Sequence, residues 1–274
     1  MNYRHAFHAG NFADVAKHLA LVAILLHLRR KESGFAVVDS HAGRGLYDLE
    51  SEASRRTGEA ERGISRLRGL GKPGLPDALR HYLDIVSAAG DALYPGSPVI
   101  AAQLLRPQDR LIAIEKHDDE YRALRLALRP FGEKARSECA DGYARLSGLL
   151  PPPERRGVVL IDPPFESSHE FELASSALGQ SLKRFANGIY LLWFPIKSAG
   201  EAHAFVGEVV AAGASKALRI DLDIGADRRD DAKERLAAAG LIVVNPPFGF
   251  AEEIRSCLAI VAPALSPAAR FSVS

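Results

Sequence analysis

Val158-Val159-Leu160-Ile161-Asp162-Pro163-Pro164-Phe165 is the stretch that decides the fold. Four apolar residues between Gly157 and a double proline read as a short strand buried on both faces, the mark of a parallel sheet. The strand ends on a carboxylate, and open α/β sheets bind ligands just beyond the carboxyl ends of their strands. Two prolines then fix the backbone and remove two amide donors, so the turn is stiff and its carbonyls face outward unpaired. An aromatic ring follows. A carboxylate, a free carbonyl and a ring held rigidly together can grip a flat base with an exocyclic amine: the oxygens accept its N–H bonds and the ring stacks on its face. A core strand that merely ends in prolines has the same letters, so these residues alone leave both readings open.

Working outward, strands and helices alternate on either side. Phe35-Ala36-Val37-Val38-Asp39 reads as a first strand, ending on the loop Ser40-His41-Ala42-Gly43-Arg44-Gly45. Leu111 to Glu115 is a second strand ending on an acid, and a weaker third near Ala135 to Cys139 leads into Asp141-Gly142. The Val158 strand is fourth and Ile189 to Phe194 fifth, with late strands at Lys216 to Ile224 and Leu241 to Asn245. A glycine-containing turn after the first strand lets a cofactor approach the backbone, and an acid ending the second suits a ribose hydroxyl pair. An Asp-Gly after the third suits the edge of an adenine. This is the layout of an S-adenosylmethionine site. His41-Ala42-Gly43-Arg44-Gly45 lacks the full G-x-G-x-x-G spacing of a nicotinamide dinucleotide cradle, and Asp-Pro-Pro-Phe has no task there.

The chain's 274 residues fit one large α/β domain with an insert, and 47% apolar with 25% charged residues is ample for a core. Two distant cysteines, Cys139 and Cys257, make neither a disulfide framework nor a zinc site, which points to a reduced, cytoplasmic setting and no metal. The most apolar run, Leu19 to Leu28, is ten residues long, contains His27 and is followed by Arg29-Arg30-Lys31-Glu32. It is too short to span a bilayer and lacks a small-residue cleavage site, so it reads as a buried helix, capped by Asn11 with Asp14 in its first turn. A net charge of +1 confines any nucleic-acid surface to a local patch.

From about Glu50 to Tyr94 the alternation stops. Asp77 to Ala89 has helical spacing and enters through Pro76, while Gly69 to Gly74 separates it from an earlier helix. Residues 50–94 therefore read as a small all-helical insert in a main domain of residues 1–49 and 95–274. Its first half places Arg55, Arg56, Arg62, Arg66, Arg68 and Lys72 against Glu52, Glu59 and Glu61, six positive to three negative. Alone that excess is a solvated helix face; with the Tyr3–His8 arm it is one of two basic stretches able to meet phosphates. Ser97-Pro98 then starts a helix, with serine as its cap.

Asp-Pro-Pro-Phe resembles the catalytic motif of amino-methyltransferases that modify adenine N6 or cytosine N4. Taken end to end, the chain resembles the bacterial RlmJ family, which methylates one adenine N6 of 23S ribosomal RNA. The resemblance rests on Tyr3-Arg4-His5-Ala6-Phe7-His8-Ala9-Gly10-Asn11, Ala13-Asp14-Val15, Lys17-His18, His41-Ala42-Gly43, Tyr94-Pro95-Gly96-Ser97-Pro98, Ala140-Asp141-Gly142 and Asp162-Pro163-Pro164. The long opening stretch is far more specific than Asp-Pro-Pro-Phe.

The resemblance implies a Rossmann-like class I methyltransferase sheet with helices on both faces. It implies that Lys17, His18, His41, Ser97, Glu115, Asp141 and Gly142 contact S-adenosyl-L-methionine and that Asp162 is the catalytic acceptor. Tyr3 and Arg4 would meet the RNA, with Pro163 and Phe165 gripping the base. The partner implied is protein-free or partly assembled 23S ribosomal RNA, acted on by a monomer with no membrane. The departure is Phe165, where the family commonly has tyrosine: phenylalanine keeps the stacking face and loses a hydroxyl. Read without the resemblance, His41 is a capping or core histidine, Lys17 and His18 lie on a helix surface, and Ser97 is an N-cap.

Two rivals stand beside this reading. A DNA adenine methyltransferase would need a target-recognition domain, and none is visible; a non-catalytic RNA-binding protein would not need Asp162 and the cofactor loop intact. A second match, Asn245-Pro246-Pro247-Phe248, comes after too many strands to be the fourth element. It reads as a proline-terminated strand end, at most a lining of the site.

Overall fold

The computed structural model describes residues 7–71, 73–167, 169–225 and 236–274, so Tyr3 and Arg4 lie outside the described residues. In chain order the first elements are α1 (Phe12–Arg29), β1 (Ala36–Asp39), β2 (Leu46–Asp48), α2 (Glu52–Thr57), α3 (Glu59–Arg62), α4 (Ile64–Leu67), α5 (Asp77–Ala88) and β3 (Leu93–Pro95). Next come α6 (Ser97–Leu104), β4 (Arg110–Glu115), α7 (Asp118–Leu128), β5 (Ala135–Cys139), α8 (Gly142–Leu149), β6 (Gly157–Ile161), α9 (His169–Arg184) and β7 (Ile189–Pro195). Last are α10 (Ala199–Ala211), β8 (Ala217–Asp223), β9 (Ala238–Val244), α11 (Phe250–Leu265) and β10 (Arg270–Val273).

One eight-stranded sheet runs in the order β10-β8-β9-β7-β6-β1-β4-β5. From β5 to β7 all neighbours are parallel, whereas β9, β8 and β10 pair antiparallel. The chain winds outward from β1 through β4 to β5, then returns to β6 and β7 on the other side. That reversal puts the crevice for a ligand between the carboxyl ends of β1 and β6. Helices cover both faces, and this strand order with its antiparallel closing pair is the class I methyltransferase sheet.

The Val158 strand is buried on both faces as its composition predicts. Val158 and Leu160 enter the core beneath α1, α5, α6 and α11, while Val159 and Ile161 enter the core beneath α8, α9 and α10. Each such side chain contributes about 1.5–3 kcal/mol. The same alternation carries Asp162, next after Ile161, toward the α1 side. Asp39 follows Val37 to that side in the same way.

α1 is apolar nearly all round and 15 of its 18 residues are buried, as such a helix must be. Asn11 caps it, its side chain accepting the Asp14 amide at 2.8 Å. Ser97 is a correction: Gly96 takes the cap position of α6, and the Ser97 hydroxyl turns to Asp39 instead. The first half of residues 50–94 is three short helices rather than one, interrupted at Gly58 and Gly63. Gly63 lies where a Cβ would stand 2.0 Å from the Gly10 carbonyl oxygen, so the chain before α1 presses directly on this segment. Residues 50–94 are not all-helical either: the last of them, Leu93 and Tyr94, belong to β3, which pairs with β2, and the edge strand β10 likewise has no counterpart in the sequence reading.

The second Pro-Pro motif falls at the wrong end of the sheet. β9 runs antiparallel to β7, with Val244 opposite Tyr190 near the start of β7, so Asn245 sits at the edge opposite Asp162 and does not line the site. Its side-chain amide donates to the carbonyls of Ala186 and Gly188 at 2.9 and 2.7 Å, and its φ is +55°. Asn245→Ala should therefore cost roughly 1–3 kcal/mol in stability through two orphaned carbonyls and a left-handed backbone. Methyl transfer should survive. Denaturant melts beside an activity assay check both, and loss of chemistry with intact folding would reverse the ranking of the two motifs.

Candidate active site

Beyond the carboxyl ends of β1, β4 and β6 lies a cleft of about 1300 Å³, larger than a single small ligand requires. Every described residue singled out from the sequence lines it: Lys17, His18, His41, Ser97, Glu115, Asp141, Gly142, Asp162, Pro163 and Phe165.

Its centre is a buried ion cluster that sequence reading missed. Lys17 is 4% exposed. Its ammonium donates to Asp14 Oδ1 at 2.8 Å and to Asp162 Oδ2. Burial would push this lysine's pKa down, but the two carboxylates outweigh it and hold the ammonium protonated well above its ordinary range. Asp162 keeps its other oxygen without a partner among the described residues. The spacing of Asp14 and Lys17, three apart on a helix, was the available signal for half of this cluster.

Asp39 is 1% exposed, and its Oδ2 accepts from Ser97 Oγ at 2.6 Å while Oδ1 has no hydrogen-bond partner among the described residues. Burial, against the Ser97 bond and with help from the Asp162 charge, raises its pKa to about 7. The strand-end position of Asp39 was legible; its pairing with Ser97 was not.

The opposite wall is built from the glycine loop and the ends of β4 and β5. Glu115 accepts from the amides of Gly43 at 3.0 Å and His117 at 2.7 Å, which fixes its carboxylate at the cleft. Asp141 caps α8 through the Ala144 amide at 3.2 Å and pairs with Lys116 at 3.0 Å. Burial raises its pKa, but Lys116 and that amide prevail and hold it below the ordinary value. Gly142 follows where a Cβ would stand 1.9 Å from the Ser40 carbonyl oxygen, so no side chain fits. His41 packs edge-on to Tyr143 at 4.7 Å between ring centres, and burial lowers its pKa to about 4. Ser40 gives its proton to the Leu160 carbonyl at 2.9 Å, so His41 Nδ1, 2.8 Å from Ser40 Oγ, is the donor and Nε2 is left as an acceptor. His18 Nδ1 lies 2.6 Å from the Tyr94 hydroxyl, which also meets Tyr82 at 2.9 Å.

Phe165 is 5% exposed and sits among Phe171, Trp193 and Phe205 with a φ of +48°. Its ring borders the cleft from within the core rather than standing free in it. The insert arginines divide. Arg62 donates to Thr57 O at 2.5 Å, Arg66 to the Leu265 carbonyl of α11, and Arg68 to Asp91 at 2.9 Å and to the carbonyls of Gly90 and Leu93. Arg62 and Arg68 thus bond within the insert and Arg66 bonds it to α11, and of the three only Arg68 pairs with a carboxylate among the described residues. Arg56 alone of the insert's cations lines the cleft among the described residues.

Among the described residues no group of three or more His, Cys, Asp or Glu could hold a metal, and no helix is long and apolar enough to cross a membrane. What the cleft does offer is strand-end acids and an excess of carboxylate over ammonium and guanidinium. That donor set fits a nucleoside bearing a cationic sulfonium.

Residues 32–273 match the model of the family described as ribosomal RNA large subunit methyltransferase D, RlmJ. The chain belongs to this family. It is 39% identical over 274 residues to ribosomal RNA large subunit methyltransferase J of Escherichia coli, covering 98% of this chain and 95% of that protein. It is 37% identical over 272 residues to the protein of the same name from Haemophilus influenzae, covering 97% and 95%. A crystal structure of a Legionella pneumophila protein superposes with a TM-score of 0.87 at 32% identity, covering 97% of this chain and 98% of that one. S-adenosylmethionine is accordingly the cofactor of this fold.

Proposed function

We propose that this protein methylates N6 of one specific adenine in 23S ribosomal RNA, using S-adenosylmethionine. The observation that carries the reading is Asp162: it stands at the crevice between β1 and β6, pinned through one oxygen by Lys17, with no partner for the other oxygen among the described residues and with Pro163 and Pro164 lining the same cleft.

When bound, the cofactor supplies a methyl group on an electrophilic sulfonium. Glu115, Asp141, Gly142, His41, His18 and Ser97 would hold it, Glu115 facing the ribose and Asp141 the adenine edge. The target amine is a poor nucleophile because its lone pair is conjugated into the ring. The open Asp162 oxygen and the Pro163 carbonyl would accept its two N–H bonds and favour a tetrahedral nitrogen whose lone pair faces the methyl group. One N–C bond forms as one S–C bond breaks, and the amine gives up one proton, to Asp162 or to solvent. Orientation and fixed charge supply the rate, with no covalent enzyme intermediate. The adenine must be unpaired or flipped from its stack to reach the cleft, with Phe165 bordering the base and the Tyr3–Arg4 arm meeting the RNA. Residues 50–94 are read as an insert on the domain formed by 1–49 and 95–274. Because one chain supplies the whole cleft, a monomer acting on protein-free or partly assembled RNA suffices.

Incubating the protein with methyl-labelled cofactor and unmodified 23S RNA, then digesting to nucleosides, should place the label in N6-methyladenosine. Label on another base, or on DNA in preference to RNA, overturns the reading.

Glu115→Gln tests the cofactor wall. It removes a charged acceptor and loosens the Gly43 and His117 amides, so affinity for S-adenosylmethionine should fall by roughly 1.5–3 kcal/mol. Unchanged affinity in a calorimetric titration would take Glu115 out of the site.

A further inference from the structure

The cleft has the wrong sign for its polymer. Among the described lining residues, eight are Asp or Glu and four are Lys or Arg. Such a lining attracts a cationic cofactor and repels phosphates. Of the four cations, Lys17 is buried between Asp14 and Asp162, and Lys116 is paired with Asp141. Arg56 and Lys197 remain, both exposed and with no carboxylate partner among the described residues.

They come from separate elements. Arg56, on α2, is held with its guanidinium 4.7 Å above the Phe7 ring. The neighbouring Thr57 hydroxyl donates to the Phe7 carbonyl at 2.5 Å, so this arginine rides on the chain that leads into α1. Lys197 follows β7, two residues beyond Pro195. Asp162 ends β6, the neighbour of β7 in the sheet. Lys197 thus reaches the cleft from the β7 side and Arg56 from the separate α2–Phe7 segment, and both line the same cleft as Asp162.

We propose that Arg56 and Lys197 are phosphate contacts for the RNA strand on either side of the target nucleotide. A strand drawn over an acidic cleft has its phosphates met at the rim while only the base descends toward Asp162. Arg56, prefixed by its stack on Phe7, keeps its outward N–H groups for a phosphate. Lys197 acts as a point charge.

This rests on RNA being the substrate, and the experiment separates the two. kcat/KM for methyl transfer to an RNA fragment is measured between low and moderate salt for the unaltered protein, Arg56→Gln, Lys197→Gln and the double variant. Calorimetry follows cofactor binding, and Arg56→Lys keeps the charge without the planar stack. Each single variant should lower kcat/KM severalfold and flatten the log–log salt slope by about 0.7, and the double by about twice that. Arg56→Lys should retain the slope and cofactor affinity should not move. Slopes equal to the unaltered protein's, with activity intact, overturn the rim assignment alone. A parallel loss of cofactor affinity overturns it too, because the residues would then serve the fold. No transfer to RNA by the unaltered protein overturns the substrate reading, and this proposal with it.

Discussion

Asp162→Ala should lower the rate of methyl transfer by about a thousandfold or more, the scale on which removing one preorganised polar group acts in a reaction driven by orientation and fixed charge. S-adenosylmethionine affinity should largely survive, because the cofactor wall lies on β4, β5 and the glycine loop. Lys17 would keep Asp14 as its partner, so the variant should fold. Asp162→Asn is a graded test. It keeps the shape and one acceptor oxygen, as in the Asn form of the motif, but loses the charge that pairs with Lys17, so it should be less impaired than Asp162→Ala. Single-turnover assays beside calorimetric titration decide the matter. Near-normal turnover of Asp162→Ala would remove Asp162 from the chemistry.

Lys17→Met should damage folding and chemistry together. The ammonium is nearly inaccessible and neutralises two carboxylates at once. Removing one member of a buried ion cluster strands the others, at a cost of roughly 3–5 kcal/mol. Because the lysine's pKa is raised, its contribution is fully present below its ordinary value of 10.5 and is lost only as pH climbs beyond that. The deficit should thus be the same throughout the neutral range. Adding Asp14→Asn removes one stranded charge, so stability should partly return. Turnover should not, since Asp162 would still lack the group that fixes its orientation. Denaturant melts with rate measurements on both variants test this, and a single variant of normal stability and rate would show that the cluster holds nothing in place.

What could be read from the residues was whatever is written locally. Val158 to Ile161 between a glycine and two prolines admits few structures other than a buried strand, and the acids ending successive strands announced a crevice. α1 was legible because its apolar run is too continuous for a surface helix. The rest depended on partners distant in sequence. Lys17 meets Asp162 across 145 positions and Ser97 meets Asp39 across 58; neither separation has a periodicity to betray it. Strand direction was equally hidden. Asp162-Pro163-Pro164-Phe165 and Asn245-Pro246-Pro247-Phe248 look alike as text, and only the antiparallel course of β9 separates a cleft wall from a buttress on the far edge, where Phe248 stands 95% exposed. The insert's partners were hidden for a related reason: Arg66 and Arg68 find backbone carbonyls that only the folded chain brings near.

The burial of α1 has a consequence for the order in which the protein is made. Within this chain the helix is made before α5, α6 and α11, which cover its apolar surface, and α11 begins only at Phe250. Its contacts with α5 and α6 can form once synthesis has passed Leu104, but the side that packs on α11 stays uncovered until that helix is made. Until then part of an 18-residue apolar rod is in water or shielded by something else, the kind of exposed segment that invites aggregation. Asp14 and Lys17, with His18, His27 and Arg29, are the polar interruptions on that rod, so the two charges that later steady Asp162 also keep the nascent helix from being uniformly greasy.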